Sequence, residues 1–219
     1  MPVLPETLAP AARHSGGFRS VRAGFVALLK DRNFLRYAGV QCASAISLFS
    51  YITMSSIVFQ HQYGLSVQQF AFVFASNAVG LVVVGRLVGA QAERFGARRL
   101  VIAGSATGLA SAIALMIAVT NGLGLIVVVP LLWVAISTSG VIGPISQVLA
   151  LTRQGERAGT ASAMLGLSMF LVGAAAGPMA SLGGATPTKM AAAVVVGLST
   201  ALAIALFRRP LVIEPKPGS

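Results

Sequence analysis

Covalent chemistry needs a nucleophile, a base or a set of metal ligands gathered in one place, and here the candidates are few. Cys42 is the sole cysteine, and His14 and His61 are the two histidines. Cys42 and His61 stand 19 residues apart on one apolar stretch, which as a helix separates them by about 28 Å. His14 lies in a polar leader. The five acids, Glu6, Asp31, Glu93, Glu156 and Glu214, fall in loops, in tails or at the ends of apolar runs, so no carboxylate pair is poised for acid–base work. A lone cysteine makes neither an intrachain disulfide nor a cysteine-cluster metal site. Inside an apolar run its thiol reads as a small hydrophobe. The reading is of a protein that is not an enzyme, with no catalytic residues, metal site or cofactor.

What recurs regularly is uncharged polarity. Gln41, Ser44, Leu48, Tyr51 and Ser55 follow three- and four-residue spacing and share one helical face. Trp133, Ser137, Gly140, Pro144 and Gln147 repeat the spacing, and Phe70, Phe74 and Asn77 add a shorter stripe. Amides, hydroxyls and aromatic faces in such stripes suit a central cavity for amphipathic organic molecules. The same spacing also serves interhelical hydrogen bonding and core packing, so both readings stand for each residue. Arg86 lies inside an apolar run, about two turns before its basic end. It either snorkels to the interface or pairs with a neighbouring helix.

The elements that position these residues follow from composition. Of 219 residues, 56% are hydrophobic and 10% charged, against about 25% charged in soluble domains. Mean hydropathy is +0.84. The net charge of +11 would suggest nucleic acid in a polar chain. Here the basic residues occupy short gaps between long apolar runs, so a lipid bilayer replaces nucleic acid as the expected partner. Six segments, 38–60, 69–92, 100–120, 123–151, 158–182 and 188–207, are each long enough to cross a ~30 Å hydrocarbon core as a helix. They lack the alternation of barrel strands. The expectation is an all-α integral membrane bundle over 37–207, preceded by a linker (1–36) without the pattern of a cleavable signal peptide and followed by a tail (208–219).

Charge orients the bundle. Fourteen Lys and Arg residues lie in the leader, the gaps after the second and fourth spans, and the tail, while Lys189 alone lies on the other side. The positive-inside rule places both termini in the cytoplasm. Pro130 and Pro144 are expected to kink the fourth span and Gly177-Pro178 the fifth. The small-residue pairs Gly85/Gly89, Gly104/Gly108 and Gly173/Gly177 permit close helix approach. No acid or histidine sits at midspan, where proton-coupled transporters place a titratable group. No sequence repeat is visible between spans one to three and four to six.

The segment Gly89-Ala-Gln-Ala-Glu93-Arg94-Phe-Gly96-Ala-Arg98-Arg99 resembles the loop motif of the major facilitator superfamily, G-x-x-x-D-R-x-G-x-R-R, with Glu93 in place of Asp. Its glycines permit a tight turn, its acid can face a helix N-terminus, and its arginines anchor the loop at headgroups. Tyr63-Gly-Leu-Ser-Val-Gln-Gln-Phe70, Asn77-Ala-Val-Gly80, Arg94-Phe-Gly-Ala-Arg-Arg99 and Arg157-Ala-Gly-Thr-Ala-Ser162 together resemble the second half of a Bcr/CflA-type drug:proton antiporter. Leu4-Pro-Glu-Thr-Leu8 is similar to the stretch after the sixth span in that family.

The resemblance implies that residues 1–36 are the linker between halves and that the six spans correspond to spans seven to twelve. It further implies two inverted three-helix repeats, with substrate bound between the halves. The family's proton-coupling acids lie in the first half. The implied function is multidrug efflux of small organic compounds across a bacterial inner membrane, by half of a truncated or split transporter. The implied partners are a first-half chain or a second copy of this one. The alternative is a non-transporting remnant or interaction subunit.

Overall fold

The computed structural model describes residues 18–207. The expectations for Glu6, His14, the Leu4–Leu8 stretch and the 208–219 tail lie outside the described residues. Within them the chain is helical: α1 (Phe18–Lys30), α2 (Arg32–Ile57, continued by a π-helical turn Val58–Gln62), α3 (Val67–Gly89), α4 (Ala92–Phe95), α5 (Ala97–Thr120), α6 (Leu125–Ser137), α7 (Ser139–Leu151), α8 (Ala158–Ala180) and α9 (Pro187–Leu206). Six helical stretches are long and apolar enough to cross a membrane, with α6 and α7 together forming one.

Local chemistry sets the helix starts. Asp31 caps α2 by accepting hydrogen bonds from the Asn33 and Phe34 amides, at 2.8 and 3.1 Å. Ser66 and Gln69 form a reciprocal capping box on α3. Thr186 caps α9, and Pro187 occupies its first turn.

Several boundaries differ from those read in the sequence. The first spanning helix begins at Arg32 rather than at 38, because Arg32 and Arg36 ride its first turns instead of stopping it. Residues 18–30, expected to be linker, form an amphipathic helix. Its Leu28 packs with Phe34, Tyr37, Ala150, Ala161 and Leu165. The second span ends at Gly89, and Ala92–Phe95 form a separate turn. In the fourth span the regular ladder breaks at Thr138, between Pro130 and Pro144 rather than at either. There the Thr138 hydroxyl donates to the Ala135 carbonyl at 2.7 Å. Pro178 lies inside an uninterrupted α8.

The packing has an internal symmetry. α2 packs against α7, α8 and α9, while α6–α7 pack against α2, α3 and α5, and α5 packs against α9. Exchanging α2, α3 and α5 for α6–α7, α8 and α9 leaves this pattern unchanged. Equivalent spans are three crossings apart, so they run in opposite directions: the packing is that of two inverted three-helix repeats. The core between them contains Val40, Met54, Leu115, Leu132, Ile142 and Leu198, all fully buried. α3 and α8 are the least covered, 11% and 17% buried over their most apolar stretches against 39% to 56% for the other spans. Phe72, Leu87, Phe170 and Leu171 stand exposed on them, an apolar surface that needs acyl chains or another protein against it.

Candidate binding cavity

Four spans wall a cavity of about 660 Å³, within the usual range for small-molecule pockets. α2 contributes Gln41, Ser44, Leu48 and Phe49, and α3 contributes Leu81, Gly85 and Arg86. α7 contributes Ser139, Gly140, Pro144 and Gln147, and α8 contributes Met169.

One corner is closed by main chain meeting main chain. Pro144 has no N–H, so the carbonyl of Gly140, four residues earlier, is released from the helical ladder. A Cβ at Gly85 would lie 2.7 Å from that oxygen, and a Cβ at Gly140 would collide with the Leu81 carbonyl. Only glycines admit this crossing of α3 and α7. The equivalent contact in the other repeat seats Gly173 and Gly177 of α8 against Phe49 and Thr53 of α2. Of the pairs read in the sequence, Gly108 also lies tight, against Thr138, whereas a Cβ at Gly104 would meet ordinary contacts and one at Gly89 open space.

The polar stripes divide. Gln41, Ser44 and Gln147 reach the cavity wall. Gln41 Nε2 donates to the Met169 sulfur at 3.4 Å, while its Oε1 is buried without a partner, as is the Ser139 hydroxyl. Leu48, Gly140 and Pro144 of the stripes also border it, whereas Tyr51, Ser55, Phe70, Phe74, Asn77, Trp133 and Ser137 do not. Tyr51 stacks on Phe74, 5.7 Å between centroids at 15°, and the aromatic series continues through Phe70 to Phe59 and Tyr63. Trp133 Nε1 donates to the Ser76 carbonyl at 2.8 Å. Asn77 Nδ2 donates to the Val73 carbonyl at 2.9 Å, and the Ser55 hydroxyl donates to the Ile52 carbonyl at 3.4 Å. Ser137 abuts Gly80. The wall also includes Phe49, Ser139 and Met169, which the stripes do not contain. Ser139 lies beside Gly140, one residue off the stripe's spacing.

Arg86 lines the cavity and is exposed to it. Neither acid with a described side chain pairs with it. Asp31 is held by the start of α2 and by Gln154, whose Nε2 donates to it at 2.5 Å, and Glu93 is exposed on α4.

The loop motif sits at the basic end. Gly96 has φ +85° and ψ 126° and separates α4 from α5, a conformation an L side chain strains to adopt. Gly89 is instead the last residue of α3, without positive φ. Glu93 lies in the first turn of α4, and the Arg94 guanidinium lies 5.3 Å from the Phe95 ring centre. Arg99 is exposed. Arg98 donates to the Ala205 carbonyl at 3.5 Å. Arg36 reaches the same helix end, donating to Ile204 and Ala205 at 3.2 and 2.5 Å. Two cations thus cap the negative end of α9.

The sequence profile of the Major Facilitator Superfamily matches residues 2–178. An uncharacterized MFS-type transporter of Bacillus subtilis, YdgK, is 30% identical over 193 residues, covering 86% of this chain and 47% of its own length. A bicyclomycin resistance protein homolog of Haemophilus influenzae is 28% identical over 187 residues, covering 81% of this chain and 44% of its own. The chain therefore spans about half the length of the curated relatives it matches. No solved structure gives a significant match. With the profile covering most of a six-span bundle of inverted repeats, the chain belongs to the major facilitator superfamily.

Proposed function

We propose that this bundle is the second half of an alternating-access exporter of small amphipathic organic compounds, of the drug:proton antiport type. A first six-span half supplies the proton-coupling acids. The observation that carries this reading is the cavity between α2, α3, α7 and α8, whose two flanking helices are the least covered in the bundle. A second six-span unit laid against α3 and α8 would close the cavity and cover their apolar faces, as transporters with substrate bound between two halves require. The Haemophilus relative's name, a bicyclomycin resistance protein homolog, supports export of an organic compound. The absence of any acid at midspan supports coupling from the other half. The bundle sits in a bacterial inner membrane with its basic loops in the cytoplasm.

The test is accumulation of a fluorescent drug in cells expressing this chain, a first-half chain from a relative, or both. Reduced accumulation with the pair only is the expected result. Export by this chain alone would remove the need for a partner. A correctly inserted pair that exports nothing would favour the non-transporting subunit. Orientation is tested in a Cys42→Ser background: an impermeant maleimide applied outside should label Asn121→Cys and spare Arg153→Cys.

A further inference from the structure

Among the described residues the cavity wall carries one charge, and that charge is positive. Arg86 faces a space bordered by Leu48, Phe49, Leu81 and Met169, and no described acid lies on the wall to balance it. A guanidinium on a largely apolar wall attracts an anion brought beside it and repels a second cation. Two further groups await partners. Gln41 is 5% exposed and its Oε1 accepts nothing, and Ser139 is 6% exposed with its hydroxyl unpartnered; both oxygens are closed off beneath the wall, so a ligand reaches them through a side-chain rotation. A buried acceptor left empty gains most from a ligand that donates to it.

From these three features we propose that the cavity selects amphipathic organic acids. A carboxylate or sulfonate would meet Arg86, a hydroxyl or amide N–H would donate to Gln41 Oε1, and an apolar ring would lie against Phe49 and Leu81. This deepens the transporter reading, since it takes the cavity as the substrate wall, and it is a statement about binding rather than export.

The test uses the full chain in zwitterionic lipid nanodiscs, with three probes of one shape: 6-hydroxy-2-naphthoate, its neutral carboxamide and its cationic aminomethyl analogue. Calorimetric titration is corrected with empty nanodiscs. The naphthoate should bind about tenfold more tightly than the amide, the ordinary effect of a charge-assisted hydrogen bond, and the amine should bind weakest. Arg86→Gln should erase the preference for the naphthoate over the amide, and Arg86→Lys, which keeps a point charge, should retain it. Gln41→Leu should weaken the hydroxylated naphthoate more than 2-naphthoate itself. Equal binding of the three probes, no saturable binding, or a preference that survives Arg86→Gln would each overturn the proposal. Anion-selective binding without export by the co-expressed pair would sink the transport reading and keep this one. Export together with charge-blind binding would do the reverse.

Discussion

Substituting Gly140 by alanine probes the crossing that shapes the cavity. The new methyl group would run into the Leu81 main chain, with the carbonyl carbon 2.9 Å and Cα 3.3 Å away in addition to the carbonyl oxygen itself. Main-chain atoms cannot swing aside as a side-chain tip can, so α3 and α7 must separate. Overpacking of this kind costs about 1–3 kcal/mol, and a rigid obstacle places Gly140→Ala towards the upper end. Gly166 is the internal control: it lies inside α8 and lines the same cavity, but a Cβ there meets nothing within 4 Å. Gly166→Ala should gain about 0.4–1 kcal/mol from the stiffer unfolded chain. Both substitutions add one methyl group and the same helix propensity, so their difference, about 2–3 kcal/mol, isolates the collision. Reversible unfolding in mixed micelles, followed by circular dichroism against denaturing detergent, measures it. A difference below about 0.5 kcal/mol, the ordinary scatter of uninvolved surface sites, would refute a backbone-to-backbone crossing at Gly85 and Gly140.

Arg36→Met keeps the apolar stem and removes the donors to Ile204 and Ala205. It should cost about 1–2 kcal/mol at the α9 terminus, and an unchanged melting temperature would show that the cap is idle. Asp31→Ala should cost about 1 kcal/mol through the α2 cap and also strand Gln154, whereas Asp31→Asn retains an acceptor and should lose less; the same unfolding assay ranks the two. Trp133→Phe gives up the bond to the Ser76 carbonyl and should cost about 1 kcal/mol. Because Trp133 is not on the cavity wall, naphthoate affinity should be unchanged, and a tenfold change would place the ring closer to the ligand than the structure does.

Much of this protein was legible without a structure. Six spans followed from hydropathy alone, because a helix in lipid satisfies its own backbone whatever its neighbours do. The helix ends blurred where charge and turn chemistry overlap. Arg32 and Arg36 look like leader yet belong to α2, and the Arg36 side chain leaves the helix for the Ile204 and Ala205 carbonyls, 168 and 169 residues away. Helical spacing placed Gln41, Ser44, Tyr51 and Ser55 on one face, and spacing has nothing further to say about them.

Tertiary structure divided that face: Gln41 and Ser44 border the cavity between α2, α3, α7 and α8, whereas Tyr51 meets Phe74. It also admitted Ser139, which follows the break at Thr138. The inverted repeat left no trace in the residues and is plain in the packing. A helix interface demands only small or apolar groups at the crossing, and unrelated sequences meet that demand equally well. Hydropathy and helical spacing are properties of a single segment, and they decided that the chain spans the bilayer and with which charge on which end. The cavity is a property of four segments at once, so its place, its Arg86 and its empty acceptors exist only once the helices are packed.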